Sequence, residues 1–229
     1  PFVVASTDIE CFSSDINRMP IPELKTDEVI QIGTTYRKLG EKDCFRKHIL
    51  TLDTCDPIPG VVVEAFKHEE DLLVAWSKEI LQQDPDIITG YNIFGFDFEY
   101  MFKRANQEYI SDKYQRNGAL ARRFGTLSRR NDKISELEIK NLSSSALGDN
   151  RMATIPMEGR VVIDMLKVVQ RDHNLDSYKL DNVAMTFLGD KKDDVKPREI
   201  FEYQKKDSFH RAIVAKYCVQ DCELVNNLI

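Results

Sequence analysis

Two acidic side chains, Asp8 and Glu10, stand one residue apart in the segment STDIECF, directly after the apolar residues Phe2–Ala5. Together with Ile9, these apolar residues have the pattern of a buried β-strand. Because residues two apart in a strand point to the same face, the two carboxylates are expected to project together, roughly 7 Å apart along the chain. Like charges held side by side near a core repel each other and resist the loss of water. The pattern therefore predicts a positively charged partner at this point.

A third carboxylate, Asp97, lies in GYNIFGFDFEYM, where a predicted strand is followed by a glycine-containing turn and the start of a helix. A single Asp at a helix start is commonly an N-cap. Asn92 and Phe96 add a polar and an aromatic side chain to the same loop, and sites of α/β sheets usually form in loops at the carboxyl ends of strands. From the residues alone, a helix cap and a site residue both remain open.

A fourth carboxylate, Asp221, follows Tyr217 by four residues in KYCVQDCEL. Residues four apart are neighbours on one face of a helix. Val214, Cys218 and Val225 occupy a related face, so this stripe could also simply pack on a sheet.

The composition is ordinary for a globular domain, with 42% hydrophobic and 31% charged residues among 229. This length is sufficient for one large domain with a well-buried core. No apolar run approaches the roughly 18 residues that a membrane span needs. The chain begins without Met in a predicted strand and ends in a predicted helix, which suggests a piece of a longer protein.

The five cysteines are odd in number and scattered, and the sequence has no CxxC pair. This usage predicts reduced thiols in an intracellular compartment and no zinc site. Cys218 and Cys222, one helical turn apart, are predicted to be small core-facing residues rather than ligands.

The net charge of −6 argues at first against a polyanionic partner. Basic residues nevertheless cluster within 122–133 and 191–206. An acidic total does not exclude nucleic acid if the acidic residues concentrate around metal ions.

Apolar periodicity and turn residues predict an α/β domain, a mixed sheet with helices packed on it. Predicted strands are Phe2–Glu10, Val29–Tyr36 and Cys44–Leu52, taken as successive antiparallel strands, followed by Val61–Ala65, Ile87–Thr89 and Arg160–Leu166. Predicted helices cover His68–Gln83, the residues after Asp97, Ser177–Leu188, and Ser208 to the end. The apolar pattern is weaker in the charged segment Gly118–Gly159, and within it Leu137–Gly159 is predicted to form extended arms with a turn at Gly148–Asn150.

Three motifs in this order, Asp-x-Glu on a first strand, Asn-x-x-x-Phe-Asp on a loop and Tyr-x-x-x-Asp on a late helix, resemble those of the proofreading 3′→5′ exonucleases. The residues in and around these motifs are most similar to those of family-B DNA polymerases of the delta-like or large-DNA-virus type: DIEC, GYNIFGFDF and YCVQDCEL. The segment SYKLDNVAMTFLGDKKDDV also resembles that group.

The resemblance implies a ribonuclease-H-like fold and hydrolysis of the 3′-terminal phosphodiester of single-stranded or frayed DNA, releasing nucleoside 5′-monophosphates. It implies that Asp8, Glu10, Asp97 and Asp221 hold two Mg²⁺ (or Mn²⁺) ions, with Asp8 shared between them. It further implies that Tyr217 orients the attacking water, that Asn92 and Phe96 grip the frayed primer end, and that Lys192 contacts phosphate near the scissile bond. Leu175 matches a substrate-binding position, although the small polar residue that often precedes it in relatives is replaced by Asn174. Cys11 stands where some relatives have Thr or Ser.

The same resemblance makes residues 1–229 one exonuclease domain of a larger polymerase, with an insertion at about 126–160 where relatives place a β-hairpin. The implied partners are a DNA 3′ end or primer–template, the rest of the polymerase and, through it, a sliding clamp, with no membrane. The implied location is intracellular and reducing, in the nucleus or at a viral DNA replication site.

Two other functions remain open from the residues. The first is an inactive exonuclease-like module with a structural or DNA-binding role. The second is an RNA 3′→5′ exonuclease, because the acids contact phosphate and do not report on the 2′-hydroxyl.

Overall fold

The computed structural model describes residues 1–106, 118–144, 148–190 and 195–229. Within these ranges, six strands form one mixed sheet: β1 (Val3–Cys11), β2 (Val29–Lys38), β3 (Arg46–Leu52), β4 (Val62–Phe66), β5 (Ile87–Gly90) and β8 (Val161–Asp164). A separate two-stranded sheet pairs β6 (Glu138–Ser144) with β7 (Gly148–Thr154). The helices are α1 (Glu69–Gln83), α2 (Asp97–Ala105), α3 (Ala119–Phe124), α4 (Met165–Asp172), α5 (Leu180–Leu188), α6 (Pro197–Gln204) and α7 (Ser208–Asn227).

The six strands lie in the order β4-β3-β2-β1-β5-β8. β1 pairs antiparallel with β2, which pairs antiparallel with β3, whereas β5 is parallel to both β1 and β8. The predicted mixed α/β sheet and its three successive antiparallel strands are therefore confirmed. Because β1 and β5 are parallel neighbours, the end of β1 lies close to the loop that follows β5.

The two faces of the sheet are covered by different helices. Trp76 Nε1 of α1 donates a hydrogen bond to Thr7 Oγ1 of β1 at 3.2 Å, whereas the next residue of the strand, Asp8, points toward Cys218 of α7. Because successive residues of a strand face opposite sides, α1 and α7 cover opposite faces of the sheet. Trp76 is fully buried and its ring stacks on Phe124 with 5.7 Å between centroids, so the α1 face carries the larger aromatic core.

The predicted strand Arg160–Leu166 is wrong in its last two residues. The strand ends at Asp164, and α4 begins at Met165. The Asp164 side chain accepts a hydrogen bond from Leu166 N at 3.0 Å, which makes Asp164 the N-cap of α4. Neither α3 nor α6 is predicted by the sequence pattern, although Pro197 at the first position of α6 is a helix-start signal.

The inserted hairpin region is confirmed as β6 and β7, but its turn is not where the sequence predicts it. Strand pairing runs from Glu138 opposite Thr154 to Ser144 opposite Gly148. Residues Gly148–Asn150 therefore belong to the second strand, because the antiparallel register continues through them.

A glycine on β2 lets α7 approach the sheet closely. Gly33 lies opposite Asp8 in the β1–β2 register. A Cβ atom at Gly33 would lie 2.8 Å from Cys218 Sγ and 3.2 Å from Cys222 Sγ. Both thiols are buried, as predicted. The absence of a side chain at this position therefore sets the spacing between α7 and β1, and with it the position of any α7 residue that reaches Asp8.

We expect Gly33→Ala to lower the free energy of unfolding by about 1–3 kcal/mol, since the added methyl group overpacks the α7 interface. Denaturant titration of Gly33→Ala in the wild-type and Cys218→Ala backgrounds measures this effect. The substitution should cost less in the second background, where the nearest sulfur is gone. Equal costs in the two backgrounds would contradict the assigned contact.

Candidate functional site

The two acids of β1 lie side by side at the face that α7 covers. Asp8 is half-buried, and Glu10 is 9% exposed. One carboxylate oxygen of each and the Sγ atom of Cys218 lie within 4.8 Å of one another. The strand alternation thus projects both carboxylates to one face, as the sequence pattern predicts, and α7 closes this face with a thiol.

Asp97 joins this group from the start of α2. It is the first residue of the helix, with Phe96 in the N-cap position, and it is 3% exposed. Its Oδ1 atom accepts a hydrogen bond from Ile9 N of β1 at 3.2 Å. The side chain therefore ties α2 to the strand between Asp8 and Glu10, which a simple N-cap of its own helix would not do.

Asp221 and Tyr217 come from α7, which packs on β1 and β2. Asp221 is 8% exposed, and its negative charge contributes to the raised pKa of Asp8. Tyr217 is half-buried and packs against the main core one turn earlier. Acids from β1, α2 and α7 are thus close enough for the charges of Asp97 and Asp221 to act on Asp8.

The electrostatics of the site disfavour the charged forms of Asp8 and Asp97. Burial raises the pKa of Asp8 well above its usual value, and the negative charges of Asp97, Glu10 and Asp221 raise it further. Burial also raises the pKa of Asp97 to about 7, although the hydrogen bond from Ile9 N opposes this shift. Both side chains would regain their charged forms if cations lay between them.

The donor set suits hard divalent cations. Carboxylate oxygens are the ligands that Mg²⁺ and Mn²⁺ prefer, and Asp8, Glu10, Asp97 and Asp221 supply them. Cys218 was not among the predicted ligands, and its softer sulfur lies at the inner wall of the same site. The hydrogen bond with the Cys222 thiol, together with burial, raises the pKa of the Cys218 thiol well above its usual value, which keeps it protonated beside the acids. The one sequence signal for its position is its spacing, one turn before Asp221 on the same helix.

The loop between β5 and α2, residues 91–96, is the second part of the site and is called the β5–α2 loop below. Asn92 has a left-handed backbone with φ of 64°, and its carbonyl accepts hydrogen bonds from the N–H groups of Gly95 and Phe96 at 2.9 and 3.0 Å. Phe96 is half-buried, with its ring centroid 5.2 Å from that of Tyr100. The loop thus presents an amide and an aromatic side chain directly before Asp97.

The two remaining predicted site residues have different outcomes. Leu175 is half-buried in the segment between α4 and α5, and its N–H donates to the Tyr178 hydroxyl at 3.3 Å. The carbonyl of Tyr178 accepts a hydrogen bond from the hydroxyl of Tyr91, so this segment is attached to the first residue of the β5–α2 loop. Lys192 lies outside the described residues.

Asp164 contacts the β5–α2 loop and was not predicted from the sequence. It is 1% exposed and accepts hydrogen bonds from the N–H groups of Asn92 and Phe94, at 2.9 and 3.0 Å, in addition to that of Leu166. The only sequence signal is an acidic residue at the end of an apolar run, and this signal is typical of many helix caps.

An acidic cluster on one face of a mixed sheet, with residues from a strand, the start of a helix and a late helix, is the arrangement of an α/β domain of the ribonuclease-H-like nuclease class. The model of the DNA polymerase family B exonuclease domain matches residues 1–183. The chain belongs to this family, and the class predicted from its motifs, a 3′→5′ exonuclease domain of a DNA polymerase, is confirmed.

Individual relatives agree with this assignment. The DNA polymerase of Pyramimonas orientalis virus is 41% identical over 91% of this chain and 21% of its own length. The DNA polymerase delta catalytic subunits of Dictyostelium discoideum and Mesocricetus auratus are both 37% identical over 100% of this chain and 20% of their own length. The predicted similarity to delta-like and large-DNA-virus enzymes is confirmed. The chain spans about a fifth of the length of these curated relatives.

None of the helices in the described ranges combines sufficient length with sufficient apolarity to cross a bilayer.

The raised pKa of Asp97 predicts how the stability of the metal-free chain depends on pH. The folded state keeps this proton up to about pH 7, whereas the unfolded state loses it near 3.8. The folded state therefore binds more protons between these values, so this contribution to stability falls as pH rises from about 4 to about 7 and then stays constant. Asn at this position does not titrate.

Relative to Asp97→Asn, the wild-type chain should thus lose roughly 1–3 kcal/mol of unfolding free energy between about pH 5 and about pH 8. Denaturant unfolding of both proteins in a chelator at the two pH values measures the difference. The comparison cancels the titrating groups that do not interact with Asp97, whereas the pKa of Asp8 also falls in Asp97→Asn because a neighbouring negative charge is removed. A difference that does not change with pH would show that Asp97 ionises normally.

Proposed function

We propose that this chain is the proofreading domain of a replicative DNA polymerase and hydrolyses the 3′-terminal phosphodiester of single-stranded or frayed DNA, releasing nucleoside 5′-monophosphates. The observation that supports it most is the convergence of Asp8, Glu10, Asp97 and Asp221 on one buried site in a chain of the family B exonuclease family. Burial and the neighbouring negative charges raise the pKa of Asp8, which is the electrostatic cost that bound cations would offset.

In this proposal the four carboxylates hold two Mg²⁺ or Mn²⁺ ions, with Asp8 central because the charges of Asp97, Glu10 and Asp221 all act on it. Such a pair of ions, when bound, activates the attacking water and stabilises the departing 3′ oxygen of an in-line displacement. Tyr217, one turn before Asp221, is proposed to orient the water with its hydroxyl. Lys192 is proposed to contact the phosphate near the scissile bond.

The β5–α2 loop is proposed to hold the end of the strand. A single-stranded end requires stacking and backbone contacts rather than base reading, because any misincorporated nucleotide must be accepted. Phe96 offers an aromatic ring and Asn92 an amide at the entrance to the acids, and Leu175 adds an apolar side chain on the neighbouring segment. Selectivity would then come from fraying, since a mispaired end is separated from its template at lower cost.

The proposed partners are a DNA 3′ end or primer–template, the rest of the parent polymerase and, through it, a sliding clamp. Residues 1–229 are proposed to form one exonuclease domain, with the segment at about 126–160 as its insertion. The proposed place of action is where DNA is replicated, in the nucleus or at a viral replication site, under reducing conditions.

The first test of this function is the double substitution Asp8→Ala with Glu10→Ala. It should abolish shortening of a labelled single-stranded DNA oligomer and also the thermal stabilisation by Mg²⁺, because both readouts need the same carboxylates. Glu41→Ala with Asp43→Ala is the matched control, since these acids have the same spacing but are exposed in the β2–β3 connection. Tyr217→Phe should slow cleavage more modestly than the double variant, since it removes one hydrogen bond and no metal ligand.

Full activity in the Asp8→Ala, Glu10→Ala variant would refute the assigned site. Assaying matched DNA and RNA oligomers, each with and without chelator, separates the other functions. An RNA exonuclease would degrade the RNA oligomer preferentially, and an inactive module would degrade neither while showing no carboxylate-dependent stabilisation by Mg²⁺.

Phe96→Ala tests the proposed stacking. We expect it to weaken binding of a single-stranded oligomer by roughly 1–3 kcal/mol, whatever the terminal base, because stacking on an aromatic ring is tolerant of base identity. Fluorescence anisotropy with oligomers ending in each of the four bases, in a chelator to prevent cleavage, measures this loss. Phe209→Ala is the control, since Phe209 is a 61% exposed phenylalanine on the first turn of α7. A loss confined to one terminal base would contradict stacking as the mode of contact.

A further inference from the structure

Asp164 lies where two elements of the site meet. It is the last residue of β8, opposite Gly90 at the end of β5 in the parallel register, so it stands beside the start of the β5–α2 loop. It is only 1% exposed. A carboxylate buried at this level is stable only if its oxygen atoms are fully hydrogen-bonded.

Three backbone N–H groups satisfy this carboxylate, and two of them belong to the β5–α2 loop. Oδ1 accepts from Asn92 N at 2.9 Å and from Leu166 N at 3.0 Å, while Oδ2 accepts from Phe94 N at 3.0 Å. Hydrogen bonds to an ionised acceptor are stronger than those between neutral groups. One side chain therefore caps α4 and also holds two alternate residues of the loop.

The loop conformation that these bonds hold is an unusual one. Asn92 has φ of 64°, a left-handed backbone that residues other than glycine adopt at a cost. A Cβ atom at Gly95 would lie 2.2 Å from Asn92 Oδ1, so the amide of Asn92 lies directly over the backbone of Gly95. On its other side, the loop is held by β7, since Phe94 O accepts a hydrogen bond from Ala153 N at 2.8 Å. Asp164 holds the β5–α2 loop from the side of the sheet, through its bonds to Asn92 N and Phe94 N.

We propose that Asp164 is a positioning residue for the DNA end: it fixes the β5–α2 loop so that Asn92 and Phe96 are already arranged when a 3′ end arrives. This inference rests on the proposed function, because Asn92 and Phe96 are the residues proposed to hold that end. Preorganisation of a binding loop raises affinity because less conformational freedom is lost on binding. Loss of Asp164 should accordingly weaken binding of the DNA end more than it slows the chemical step.

Two substitutions at this position give a graded test. In Asp164→Asn, the remaining oxygen can still accept hydrogen bonds from Asn92 N and Leu166 N. The new NH₂ group faces the N–H of Phe94, and no hydrogen bond forms there because both groups are donors. In Asp164→Ala, all three N–H groups lose their acceptor. Asp207 is the matched control, since it is the N-cap of α7, accepts from His210 N at 3.0 Å and lies far along the chain from the loop. Asp207→Ala removes a helix cap without releasing the loop.

The experiment measures the Kd of a labelled oligo(dT) in chelator, then KM and kcat with Mg²⁺ on the same oligomer, for the wild type and the three variants. Asp164→Ala should raise Kd and KM about tenfold with kcat changed less than about threefold, and Asp164→Asn should lie between it and the wild type. Asp207→Ala should leave Kd, KM and kcat unchanged. Thermal stabilisation by Mg²⁺ should persist in all three variants, which shows that the four carboxylates still bind metal.

Unchanged Kd in a folded Asp164→Ala chain, or an equal loss in Asp207→Ala, would overturn the inference. If Asp164→Ala does not fold, a double-mutant cycle of Asp164→Asn with Phe96→Ala gives the test. The two losses of binding free energy should be less than additive if Asp164 acts through the loop. Additive losses would overturn the inference. Failure of the proposed function is recognisable separately, since the wild-type chain would then not shorten the oligomer, whatever its affinity for it. Faster amide hydrogen exchange at Asn92 and Phe94 in Asp164→Asn reports release of the loop without any DNA.

Discussion

Repulsion among carboxylates that share one buried site is the constraint on which the rest of this structure depends. Asp8 and Asp97 both have raised pKa values, because burial removes water from them and neighbouring acids add negative charge. A fold can keep such groups together only if its packing leaves them no alternative position or if cations neutralise them. Packing meets the first condition here: β1 places Asp8 and Glu10 on one face, and Gly33 lets α7 approach that face closely enough to add Asp221. Ionisation of Asp8 and Asp97 therefore lowers the stability of the metal-free chain, and we propose that a hard divalent cation restores what is lost.

The centre of the sheet was predictable because its strands carry the signal locally. β1 and β2 consist of apolar runs bounded by polar turn segments, and their observed bounds differ from the predicted ones by at most two residues. The start of α4 was not predictable in this way. Arg160–Leu166 is apolar on both sides of Asp164, and such a run fits a buried strand as well as a buried helix. What separates the two is the hydrogen bond from Leu166 N to Asp164, which forms only in the folded chain.

The candidate site residues could be predicted where they belong to short sequence motifs. The acids were identified by residue type and spacing, but their convergence depends on strand order, which no local pattern contains. Only the resemblance to a family with a known arrangement supplied it. Asp164 and Cys218 were missed for the opposite reason, because each looks ordinary in its own segment: an acid before a helix is usually a cap, and a cysteine on an apolar face is usually core. Their positions beside the site follow from pairing and packing over 70 residues or more of chain, such as the bond from Phe94 N to Asp164.

Asp97 can remain in this site because the helix that begins with it is fixed at both ends. At its start, the carboxylate accepts the N–H of Ile9 from β1. Near its end, Arg104, which is 1% exposed, donates to Glu69 of α1 at 2.6 and 2.8 Å, and Glu69 in turn accepts from Val29 N of β2 at 2.7 Å. Removing either partner of this pair would leave an uncompensated buried charge, so we infer that the pair specifies one position of α2 against α1 and the sheet. A helix attached to β1 by its first side chain and to β2 through a buried ion pair cannot slide along its axis. The spacing between Asp97 and the acids of β1 is therefore set partly by the Arg104–Glu69 pair at the other end of α2.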